Sequence, residues 1–189
     1  LTITIPLRKD VFFHDGSKFD SYAMAFSLRR FIRIGTLSYL LGEKIVSIET
    51  PSKYLLRLRL SHPSSSLEGL LTSHNLTPIS PKYYGQHKDT FLNKSFVGTG
   101  PYKLESFHTQ QQRLRPYKDY WGENPINDGI DFIHLSNSTA LFGALLSGEI
   151  DVLLSNSLDE NQKLHLHKLA KNNDLKEGYG NALEIGYIT

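Results

Sequence analysis

The chain has 189 residues, 39% of them hydrophobic, with 21 Lys and Arg against 19 Asp and Glu for a formal charge of +2. That length holds one ordinary domain or two small ones, the apolar content excludes wholesale disorder, and the near-balanced charge argues against a dedicated nucleic-acid binder. Cysteine is absent, which excludes disulfides, thiolate zinc sites, iron–sulfur clusters and a cysteine nucleophile, and no apolar run approaches the roughly 20 residues that span a bilayer.

The chain opens without Met on the alternation Leu1, Ile3, Ile5, Leu7 and closes on Leu183, Ile185, Tyr187. Both ends read as cut from a longer chain, so the lack of a signal peptide says nothing about export. His14, Asp15 and Gly16 make a turn. Asp20 is the predicted N-cap of a helix over Ser21–Arg33, with Met24, Leu28, Phe31 and Ile32 on one face. Arg29, Arg30 and Arg33 lie near its C-terminal end, where cations suit the helix dipole; a solvated helix end is the expectation, with an anion site the alternative. Strands at Ile45–Glu49 and Tyr54–Leu60 flank a turn at Thr50, Pro51, Ser52, Lys53. On the second strand Leu56, Leu58 and Leu60 face one way, Arg57 and Arg59 the other. A short helix follows over Leu67–Thr72, then an extended Asn75–Pro81.

The composition changes near Phe96, a candidate domain boundary. Val97, Gly98, Thr99, Gly100, Pro101 and Tyr102 form a turn that launches a strand, the two glycines permitting unusual backbone angles. Tyr102–Phe107 and Gln112–Tyr117 read as a hairpin, and Tyr120, Trp121, Gly122 and Pro125 as an aromatic turn. A strand over Gly129–Leu135, a helix capped by Asn137 or Ser138 and ended by Gly148, a buried strand over Ile150–Leu154, a helix over Leu158–Lys171 and a strand over Ala182–Ile188 together predict a βαβαβ unit in an α/β layer.

The sequence carries no clear catalytic constellation. Gly98 and Gly100 lack the third glycine of a dinucleotide fingerprint, and there is no phosphate-binding G-x-x-x-x-G-K-[ST] run or G-x-S-x-G elbow. His165 and His167 are two apart on a helix, so their rings diverge by about 200° and do not make a metal pair. His14 with Asp15, or Glu149 with Asp151, could serve as acid–base pairs, but each lies at a turn or junction where such residues are ordinary. Trp121 with Tyr117 and Tyr120 suits an aromatic corner or a stacking platform.

Five blocks in order resemble a known family. Leu7–Ser17 (LRKDVFFHDGS) is similar to L-R-x-x-V-x-F-H-D-G-[ST]. Phe26–Arg30 looks like the helix that follows it, Val97–Tyr102 like V-G-T-G-P-Y, Asp119–Gly122 like an aromatic turn, and Leu145–Asp151 like L-x-x-G-E-I-D. Together they resemble extracellular solute-binding protein family 5, the oligopeptide-, dipeptide- and nickel-binding receptors of bacterial ABC importers. Tyr22, Ala23, Met24 and Arg115, Pro116, Tyr117 depart from the family pattern.

The resemblance implies a fragment of a periplasmic-binding-protein type II-like α/β fold. Residues 1–95 would be an inserted α+β domain and 96–189 part of the first ligand-binding α/β lobe, with a second lobe beyond. It implies a non-enzymatic, monomeric, cofactor-free receptor, periplasmic or cell-surface, whose partners are a small peptide or similar solute and an ABC permease but no nucleic acid. Ser155, Asn156 and Ser157, after the Ile150–Leu154 strand, are the expected ligand contacts because open α/β sheets bind at strand C-terminal ends. Leu183 and Glu184, where the chain should near the hinge, come next. A capped helix start at Ser157 is the plain alternative for the first three. A small α/β hydrolase-type or transferase domain and a non-catalytic interaction module are the competing functional readings.

Overall fold

The computed structural model describes residues 1–87, 95–172 and 174–178. Its elements follow the local chemistry closely in the first half. Strand β1 is Thr2–Pro6, β2 Ile45–Ser52 and β3 Leu55–Leu60. They make an antiparallel sheet in the order β1-β3-β2, with Ile3 opposite Leu58 and Ile5 opposite Leu56. β3 takes the centre, and three of its four leucines point one way: Leu56, Leu58 and Leu60 are buried, each worth about 1.5–3 kcal/mol over exposure. Arg57, on the opposite face, pairs with Glu49 across the sheet. β2 runs further than the turn signal at Thr50–Lys53 predicts. It lies at the sheet edge, where the missing N–H of Pro51 is tolerated, and the ladder is irregular between Glu49 and Ser52.

Helix α1 spans Ser21–Ile34, and the Asp20 carboxylate accepts from Ala23 N–H as its N-cap. Gly35 closes it, its N–H donating to the carbonyl of Phe31. Ala25 and Leu28 of α1 pack on the β3 leucines together with Leu41 of α2 (Tyr39–Gly42), Leu67 of α3 (Leu67–Leu71) and Leu76. Val11, Phe13, Phe19 and Ala23 form a second, smaller cluster. Helix α4 is Pro81–Tyr84, capped by Ser80 and started by proline at its first position.

Of the arginines of α1, Arg29 and Arg33 are exposed, as a solvated helix end requires, but Arg30 is not. Arg30 is only 7% exposed, and its guanidinium lies 5.4 Å from the Tyr84 ring. Arg29 donates to the carbonyl of Ile48 at 2.6 Å. Arg30 sits three residues after Ser27 on the buried side of the helix, and α4 supplies the aromatic lid.

A second antiparallel sheet follows, β4 (Tyr102–Phe107), β5 (Gln111–Pro116) and β6 (Ile130–Ile133), in the order β4-β5-β6. The expected hairpin is present. β6, however, is antiparallel to β5, and among the described residues no strand pairs with it in parallel. Gly129, at φ +151°, allows this: a Cβ there would lie 2.5 Å from the carbonyl of Leu114.

By contact the chain separates into two compact units, Leu1–Ile133 and the residues from His134 onward. Residues 97–117 fall within the first unit, where they are bonded to residues 13–14 and 80, as described below. In the second unit, α5 spans Ser138–Leu146, capped by Asn137, and Gly148 follows at φ +74°. α6 spans Glu160–Lys171, with a capping box between Asp159 and Gln162. The predicted buried strand at Ile150–Leu154 does not form: Val152 and Leu154 are 80% and 78% exposed. An apolar run becomes a strand only with a ladder partner, and among the described residues none pairs with this one. Leu164 of α6 is exposed as well. The predicted strand at Ala182–Ile188 lies outside the described residues.

Candidate functional site

The 97–101 segment is a hub of hydrogen bonds within the first unit. Five consecutive carbonyls are engaged. Val97 O accepts from Ser80 N–H, Gly98 O from His14 N–H, and Pro101 O from Tyr117 N–H. Thr99 O accepts from Trp121 Nε1–H at 3.1 Å, and Gly100 O from His14 Nε2 at 3.0 Å. Neither Gly98 nor Gly100 has a positive φ, and a Cβ at either would meet nothing closer than 3.8 Å. The glycines are therefore not needed for unusual backbone angles here. A backbone whose carbonyls are all spoken for, with no ring of convergent N–H groups, is a structural joint and not a phosphate cradle.

The flanking residues are committed in the same way. Tyr117 is buried and its hydroxyl donates to the carbonyl of Phe13 at 2.8 Å; burial pushes its phenol up. Trp121 carries the Arg8 guanidinium 4.6 Å from its ring, so the aromatic corner is filled from within. Asp15 accepts from Ser17 N–H and from the hydroxyls of Ser17 and Ser80. Burial pushes this carboxyl up, but those bonds and the charge of Lys82 outweigh it and hold the pKa below the ordinary 3.8. His14 and Asp15 thus face different partners and form no acid–base pair.

The ligand residues expected from the sequence lie in the second unit. Ser155, Asn156 and Ser157 make one 3-10 turn, and all three are exposed. The turn is not a helix start, since Asp159 caps α6. Ser155 lines an open cavity of about 720 Å³ together with Asp151, Leu153, Lys163, Leu164 and His167. The walls mix apolar side chains with both signs of charge, an arrangement suited to an amphipathic or zwitterionic solute. Glu177 also borders this cavity, 2.8 Å from His167 Nδ1. His165 instead meets Phe142 edge-on at 5.4 Å, so the two histidines diverge as their spacing requires. Lys163, His167 and Glu177 were not singled out as site residues by the sequence. The only signal was the helical spacing that puts residues 160, 163 and 167 on one face. Glu149 and Asp151 are exposed on either side of Ile150 and share no contact that would couple them. Leu183 and Glu184 lie outside the described residues. Among the described residues, no group of three or more His, Asp or Glu could hold a metal ion.

Residues 1–189 match the bacterial extracellular solute-binding proteins, family 5 Middle, and the chain belongs to that family. It is 31% identical over 166 residues to the nickel-binding periplasmic protein of Escherichia coli K12, covering 82% of this chain and 30% of that protein. It is 29% identical over 154 residues to the glutathione-binding protein GsiB of Salmonella paratyphi A, covering 79% of this chain and 30% of that one. Among solved structures it is similar to the ABC transporter-associated periplasmic binding protein DppA of Helicobacter pylori in complex with the peptide STSA. That match has a TM-score of 0.76 at 26% identity and covers 89% of this chain and 37% of that one. The chain spans about 30% of the length of these curated relatives. Its mixed α/β architecture is that of a fragment of the type II periplasmic-binding-protein fold.

Proposed function

We propose that the protein is the substrate-binding component of a bacterial ABC importer, which captures a peptide or a similar small solute such as a nickel complex and delivers it to a membrane permease. The family match across all 189 residues carries this reading. It acts without catalysing a reaction: the side chains that could have formed an acid–base pair, His14 and Asp15, are bonded to Gly100 and to Ser17 and Ser80. It works as a monomer outside the cytoplasmic membrane, in the periplasm or at the cell surface. Residues 1–95 are the inserted domain and 96–189 part of the first ligand-binding lobe. Ser155 offers a hydrogen bond to the solute from the cavity bounded by Asp151, Lys163 and His167, Asn156 and Ser157 extend the same exposed turn, and Leu183 and Glu184 are further ligand contacts.

Thermal unfolding of the full-length protein with a dipeptide, an oligopeptide mixture and a nickel–histidine complex tests this. One of the three should raise the melting temperature, since a ligand at about 100 times its dissociation constant adds about 2.7 kcal/mol. Ser155→Ala with Asn156→Ala should weaken that ligand about three- to tenfold, the loss of one or two ordinary hydrogen bonds. No shift with any ligand class, together with multiple turnover of a substrate, would overturn the reading.

A further inference from the structure

One side chain grips the 97–101 segment twice. The Nδ1 atom of His14 accepts from Gly98 N–H at 3.4 Å, and its Nε2–H donates to the carbonyl of Gly100 at 3.0 Å. This pattern requires the neutral ring with its proton on Nε2, because Nδ1 faces a donor and Nε2 an acceptor. A second proton on Nδ1 would set two N–H groups against each other at Gly98, and the Phe96 backbone beside the ring offers that proton another acceptor, so protonation exchanges the bond to Gly98 for one outside the 98–100 segment. The charged and titratable groups facing the ring are Asp15 beside it, Lys103 of β4, and Tyr117, whose ring meets it edge-on at 5.0 Å. Asp15 is held by Ser17 and Ser80 and makes no hydrogen bond to the imidazole.

We propose that His14 is a proton-sensitive latch: neutral, it clamps residues 98–100 onto the 13–17 turn, and protonated, it releases the Gly98 amide and loosens the whole segment. The acid-labile point is then the joint between the first sheet and the β4–β5–β6 sheet, while the leucine core stays intact. Burial, stronger here than the opposing bond to Gly100, holds the ring's pKa below 6.5. The latch therefore opens at lower pH than an ordinary histidine would titrate.

Hydrogen exchange in the full-length protein, read by mass spectrometry on the peptide spanning 96–102 and corrected for the intrinsic pH dependence of exchange, tests the latch. Between about pH 7.5 and about pH 5, protection at Gly98 should fall at least about fivefold, the equivalent of one ordinary hydrogen bond. The β2–β3 hairpin should keep its protection. His14→Gln retains a donor for Gly100 and does not titrate, so its 96–102 peptide should be equally protected at both pH values. The same loss in wild type and His14→Gln overturns the proposal, as does unchanged protection in wild type. Should the variant fail to fold, the wild-type protein decides: selective loss at 96–102 supports the latch, and simultaneous loss in the hairpin overturns it.

Discussion

Tyr117 and Asp15 show how single residues hold the joint around Gly98. Tyr117 is 6% exposed and satisfies the carbonyl of Phe13, a residue with no exposure at all. Tyr117→Phe keeps the ring and removes one of the two hydrogen bonds to that carbonyl, which still accepts from Gly16 N–H, so it should cost about 0.5–1.5 kcal/mol, measured as a lower urea midpoint at unchanged slope. Asp15 has a native pKa below its ordinary 3.8. The unfolded chain then takes up the proton first as pH falls. The contribution of Asp15 to stability is complete above about pH 4 and is lost as pH drops through the native value. Urea midpoints followed below pH 4 should fall less steeply for Asp15→Asn than for wild type. His14 has the same sign: its native pKa lies below 6.5, so its contribution is complete above that pH and decays on acidification.

At the level of elements, the first half of the chain was legible because each signal is local. The alternation of Leu56, Leu58 and Leu60 fixes the face of β3, and Leu58→Ala should cost about 2–5 kcal/mol, again by denaturant titration. Asp20 needs only the first turn of α1 to act as a cap, and Asp20→Ala should cost about 1 kcal/mol. What the sequence could not give is pairing between distant segments. Ile150–Leu154 has the composition of a buried strand, yet Val152 and Leu154 stand exposed, because strand formation depends on a neighbour that composition does not name. Gly129–Leu135 likewise reads as a strand, but nothing local says that it runs antiparallel to β5. The buried Arg30 was misread for the same reason: its partner Tyr84 lies 54 residues away in α4. The site was legible in part. The Ser155–Ser157 turn was identified from the residues, whereas its neighbours Lys163 and His167 needed the fold of α6 against residues 151–155 to be noticed.

For the whole molecule, the family match spans all 189 residues, and the chain spans about 30% of its curated relatives. The central claim is that this protein captures a small solute without transforming it. Native mass spectrometry of the full-length protein, purified without added ligand, tests it most directly. One small peptide-like or metal-complex solute per chain, released unchanged on denaturation, is the expected result. A protein that carries no solute, and that converts an added peptide or complex into a chemically different product, would contradict the claim.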